Sequence, residues 1–77
     1  MTRFEYTEKI EAIEDAEREI ERLMNSATNV DFTLTKYGIC NNGFIAHAYI
    51  GLKKWHESLI EEASRIEEIF LKEQEES

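Results

Sequence analysis

The chain has no proline, one cysteine, three glycines and no apolar run long enough to cross a bilayer. Each absence excludes something. Without proline, no position is obliged to break a helix or to donate no backbone hydrogen bond. A single thiol, Cys40, rules out an internal disulfide and fits a reducing compartment. A membrane span needs about 20 consecutive apolar residues, so none is expected. The run Met1-Thr2-Arg3-Phe4-Glu5 reaches charge at once, which is not the pattern of a secretory signal. Gly38, Gly43 and Gly51 are spaced for turns and caps and not for a phosphate-cradling loop. These exclusions lead to the expectation of a soluble cytoplasmic protein with no membrane association, folded as one small domain over residues 1–77.

Carboxylates are also missing from the middle. Of seventeen Asp and Glu residues, eight lie in 5–22, eight in 57–76, and only Asp31 lies between Leu23 and His56. The middle holds Lys36, Lys53 and Lys54, a local balance of +2 (three bases less one acid) against −8 for the whole chain. An acidic chain with pI near 4.7 is repelled by nucleic acid and anionic lipid at long range. A 77-residue chain buries only roughly 60% of its unfolded surface, which leaves a lone core marginal. With no disulfide available, self-association is the expected remedy, and a homodimer is its simplest form.

The first segment, Thr2 to about Ala27, has the pattern of one long amphipathic helix. Thr2 and Glu5 have capping-box spacing. Ile10, Ile13, Ala16, Ile20, Leu23 and Ala27 recur at threes and fours. The cluster Asn25-Ser26-Ala27-Thr28-Asn29 offers side chains that compete with the backbone, so the helix is expected to stop there. A second helix is expected from about His56 to Gln74, capped by Ser58 with Glu61. Its stripe is Trp55, Leu59, Ala63, Ile66 and Phe70, widened by Ile60 and Ile69. Residues 73–77 are expected to fray. The two stripes should pack antiparallel.

The middle, Val30 to Leu52, supports two readings. Val30, Phe32 and Leu34 alternate with Asp31 and Thr33 at strand period, and Asn42-Gly43 is a hairpin-turn signal. That gives an α-β-β-α chain with a central hairpin. Alternatively Thr33 caps a short helix to Gly38, and Asn41 or Asn42 caps another through Ile50, ended by Gly51. The helical version gives an all-α domain: a long N-terminal helix, two short middle helices and a long C-terminal helix.

In that version, residues 34–66 resemble the helix-turn-helix of small phage Cro- and repressor-type proteins. The stretches that carry the resemblance are Leu34-Thr35-Lys36-Tyr37-Gly38-Ile39, Asn41-Asn42-Gly43 and Phe44-Ile45-Ala46-His47-Ala48-Tyr49-Ile50-Gly51. A later helix containing Ser58-Leu59 and Arg65-Ile66 completes it. The resemblance implies that Phe44 to Ile50 enters the major groove. Bases would then fall to Asn41, Asn42, His47 and Tyr49, and phosphates to Lys36, Lys53 and Lys54. The sequence departs from the family in having neither Arg nor Lys within Phe44–Gly51.

No catalytic or metal-binding constellation emerges. Cys40, His47 and His56 lack the paired spacing of a zinc site, and neither histidine follows a glutamate by three. Cys40, His47 and Asn41 are of the right types for a nucleophilic site, but type alone does not build one. No cofactor and no enzymatic activity are expected. Two glutamate faces, Glu8, Glu11, Asp15 and Glu19 on the first helix and Glu57, Glu61, Glu68 and Glu75 on the last, have the charge of a nucleic-acid mimic. The aromatic set Phe32, Tyr37, Phe44, Tyr49 and Trp55 is expected to lie mostly in the core, with one or two rings left for an interface. The sequence thus suggests a small acidic interaction protein, such as a phage or mobile-element regulator or inhibitor that docks on a larger host protein. Its contacts would be Tyr37, Tyr49, Trp55 and Lys53. The alternative is a helix-turn-helix DNA-binding regulator.

Overall fold

The computed structural model describes residues 1–40 and 43–76. Two helices account for nearly all of them: α1, Arg3–Lys36, and α2, Phe44–Glu76. They lie antiparallel as a hairpin whose Cα envelope measures 62 × 16 × 10 Å. No strand occurs among the described residues. Both expected architectures are therefore corrected: the described residues form neither two short middle helices nor a central β-hairpin. Asn41, Asn42 and Ser77 lie outside the described residues.

The N-terminus of α1 forms as its sequence suggests. The Glu5 backbone N–H donates to Thr2 Oγ1 at 3.1 Å, and the Thr2 hydroxyl donates to the Glu5 carboxylate at 3.2 Å. The expected stop at Asn25–Asn29 does not occur. Instead of diverting the backbone, Thr28 and Thr33 donate their hydroxyls to the carbonyls of Met24 and Asn29, four residues back, at 3.1 and 2.9 Å. Local competition is thereby absorbed within the helix. The helix ends at Tyr37, where the N–H groups of Gly38 and Ile39 donate to the carbonyls of Thr35 and Leu34, both at 2.9 Å. That double bond pattern needs a left-handed residue after the cap, and Gly38 supplies it with φ of 70°.

The packing explains why the helix runs on. In α1, Tyr6, Ile10, Ile13, Glu17, Ile20, Met24, Ala27, Asp31 and Leu34 alternate by four and three, and each is buried or half-buried. In α2, Ile45, Leu52, His56, Leu59, Ala63, Ile66 and Phe70 keep the same rhythm, with Tyr49 filling its one gap. A seven-residue repeat of this kind is the seam of a two-stranded coiled coil. Two contacts fix its register: the Tyr6 and Phe70 rings stack at 4.3 Å, and His56 Nε2 lies 3.1 Å from Glu21 Oε1. The seam spans the Asn25–Asn29 cluster, and tertiary contact outweighs the modest propensity cost there. Of the alternating trio, Val30 and Phe32 face solvent and only Leu34 meets the seam, so the strand-like spacing is accidental.

Gly51 does not end a helix. It sits inside α2, and a methyl group on its Cα would meet nothing within 4 Å, so the helix tolerates glycine there without requiring it. Phe44–Ile50 is the start of one continuous helix, and Ser58 caps nothing because α2 is already under way. The seam is also thin. Among the described residues, the buried hydrophobic ones are Ile20, 1% exposed, and Ile66, 8% exposed.

Two outcomes follow. Gly51→Ala should raise stability by about 0.5–1 kcal/mol in urea denaturation, because alanine costs less backbone entropy in a helix. A loss of stability would mean that Gly51 breaks the helix. Ile20→Ala should cost about 2–5 kcal/mol through lost burial and a residual cavity, read as a lower urea midpoint and reduced far-UV ellipticity. An unchanged midpoint would contradict the seam.

Candidate functional site

The heptad fixes what each helix turns outward. Glu8, Glu11, Asp15 and Glu19 are exposed on the outer side of α1, and Glu57, Glu61, Glu68 and Glu75 on that of α2. The helices meet through their inner sides, so the two carboxylate rows face opposite directions. They do not form one acidic surface. Ion pairs along the stem are local, with Arg18 on Asp15, Arg65 on Glu62, and Arg22 Nη2 3.2 Å from Glu19 Oε1. Being exposed, these pairs contribute little. At the open end of the stem the Met1 amino group lies 2.6 Å from Glu73 Oε2.

The other half of the hairpin, from Leu23 and Trp55 to the connection, has a different surface. Phe32, Tyr37 and Phe44 are each more than 70% exposed, and Ile39 and Ile50 are half exposed. The expectation that most of the aromatic set would be core is corrected: all five rings are exposed, Tyr49 and Trp55 less so than these three. The reason is angular: Phe32 falls between the seam positions Asp31 and Leu34, and Phe44 precedes the first one in α2. A three-and-four count carried back from Leu34 would have placed Phe32 off the stripe.

Between the helices on one flank, an open groove is lined by Thr28, Asp31, Ile45, Ala46, Tyr49 and Ile50. Lys53 lies one heptad beyond Ala46, on the same flank. Trp55 lies on the opposite flank, in line with Ala48. On α1 the matching line is Leu23 and Val30, leading to Tyr37. The four residues expected to meet a partner are thus all exposed but divided: Tyr49 and Lys53 on the groove side, Trp55 and Tyr37 on the other.

The candidate DNA contacts are divided as well. Lys36 and Lys54 occupy outer positions of different helices and are separated along the axis by roughly 20 Å, at 1.5 Å per helical residue. His47 faces outward on the same line as Lys54, Tyr49 faces the seam, and Asn41 and Asn42 are outside the described residues. His56, considered as a metal ligand, is instead a seam residue beside Glu21. The Cys40 thiol is exposed near the connection. Among the described residues, no three His, Cys, Asp or Glu side chains are grouped to hold a metal ion, and no helix is long and apolar enough to cross a membrane.

No protein-family model, no curated protein and no solved structure matches this chain.

Proposed function

We propose that the chain is a non-enzymatic interaction protein, a small acidic regulator or inhibitor that docks on a larger protein through the carboxylate-poor end of its hairpin. The observation that carries this reading is the exposure of Phe32, Tyr37 and Phe44, each above 70%, at the same end of the hairpin as a groove lined by Ile45, Tyr49 and Ile50. Large apolar groups held in water are costly to leave uncovered, and clustered ones mark interaction surfaces. Aromatic side chains also carry a disproportionate share of binding energy where they are desolvated. Lys53 beside the groove offers a cation to an acidic rim on the partner. The carboxylate rows along the stem keep the complex soluble and repel polyanions from the remaining surface.

The helix-turn-helix DNA-binding reading has less support. Its three lysines do not converge on one side of the hairpin, and three phosphate contacts supply only a small counterion-release contribution. Mimicry of nucleic acid by the glutamate rows requires a basic partner that grips both outer sides of the stem.

The test is an affinity capture with the intact chain, with Phe32→Ser plus Ile50→Ser, and with Glu8→Gln plus Glu61→Gln. The proposal expects a protein retained by the intact chain and by the glutamine variant, and reduced at least tenfold by the serine variant at unchanged helical content. Equal retention by all three, loss with the glutamine variant alone, or salt-sensitive retention of duplex DNA in place of a protein would each overturn it.

A further inference from the structure

The flank opposite the groove, below Tyr37 at its tip, is the more continuous apolar strip. Leu23 and Val30 are spaced by one heptad on α1, as are Ala48 and Trp55 on α2, and all four are exposed. The register set by Tyr6 with Phe70 and Glu21 with His56 brings Leu23 level with Trp55 and Val30 level with Ala48. No carboxylate interrupts the strip between those levels. On this line of α2, Glu62 is the first carboxylate after Trp55, one heptad into the stem.

We infer that this strip is where a second copy of the chain packs, forming a four-helix dimer by overlap of the two carboxylate-poor halves. The area argument favours it. The chain exposes 6166 Å². A compact monomer of 9.1 kDa is expected to expose about 4,900 Å², so the excess is about 1,300 Å². A stable interface takes roughly 800 Å² from each partner, which the excess accommodates. A second copy is also the occupant that the thin seam calls for. With Ile20 and Ile66 as its buried core, the hairpin needs a cover that is present whenever the chain is, and only another copy meets that condition.

Charge sets the geometry. Each copy carries −8, concentrated in the stem, so full side-by-side overlap would bring carboxylate rows together. A two-fold axis perpendicular to the hairpin, near the level of Val30 and Ala48, avoids this. The apolar halves then overlap and the two stems project in opposite directions. The contact is self-complementary and closed, so assembly stops at two. Because the groove lies on the other flank, each copy keeps its groove open in the dimer.

Sedimentation equilibrium at low micromolar concentration, together with the emission of the single tryptophan, tests this inference. The expected result is a species of twice 9.1 kDa, about 18 kDa, whose Trp55 emission shifts to the blue as the dimer forms on concentration. Leu23→Asp and Trp55→Asp should each raise the dimer dissociation constant more than tenfold, whereas Ile60→Asp, on the groove flank, should not. Raising NaCl from about 0.05 to about 0.5 M should tighten the dimer several-fold by screening stem repulsion. If Leu23→Asp unfolds the chain, the Trp55 shift of the unmodified protein still decides. A monomer of 9.1 kDa, an open-ended ladder of species, or a dimer with unchanged Trp55 emission would each overturn the inference.

Discussion

The structure depends on one seam, a single stripe of apolar side chains shared by two helices. A helix pair has only one such contact line, and here it runs from Tyr6 against Phe70 at the stem to Leu34 and Ile45 near the connection. A seam this narrow buries Ile20 and Ile66 and leaves its other members partly wet. Burying one large aliphatic side chain contributes only about 1.5–3 kcal/mol, so the margin over the cost of ordering two long helices is small. His56 and Asp31 occupy seam positions that hydrophobes could fill more stably. Polar groups there favour one alignment over its neighbours at some expense of stability, a known use of such residues in coiled coils.

What lies outside the seam is divided by charge along the axis. The stem half carries the carboxylates outward on both sides, and the connection half carries rings and aliphatic groups. Repulsion discourages a second copy or another acidic neighbour from covering the stem, which favours the other end for the proposed association. That end in turn has two separate apolar surfaces on opposite flanks, one a groove and one a strip. A dimer along the strip and a docked protein in the groove are therefore compatible, and the first would steady the helices that build the second.

Helicity at both ends, the Thr2–Glu5 cap and most of the α1 and α2 stripes were legible from spacing alone. The middle was not, for identifiable reasons. Asn25–Asn29 carries every local sign of a helix end, but Ala27, Asp31 and Leu34 continue the heptad across it, and their value appears only when α2 is opposite. Gly51 has the chemistry of a cap, yet a single glycine costs a helix only about 1 kcal/mol, less than the packing of Leu52 and His56 that continuity preserves. Val30-Asp31-Phe32-Thr33-Leu34 satisfies a strand pattern and a helix pattern together, and only burial separates them. Tyr37, Tyr49, Lys53 and Trp55, expected to meet a partner, all reach the surface. Their division between two flanks required the register.

That register is most directly tested by pulsed dipolar spectroscopy on spin labels at Glu8→Cys and Glu68→Cys in a Cys40→Ser background, diluted with unlabelled chain so that only distances within one molecule are read. Helices packed in the described alignment place these outward positions about 25–30 Å apart, from an interaxial spacing of roughly 8–10 Å plus the outward reach of two side chains. A narrow distribution at that distance is the predicted result. A broad distribution, or one extending toward the roughly 90 Å that sixty residues of continuous helix would span, would contradict the seam and all that is built on it.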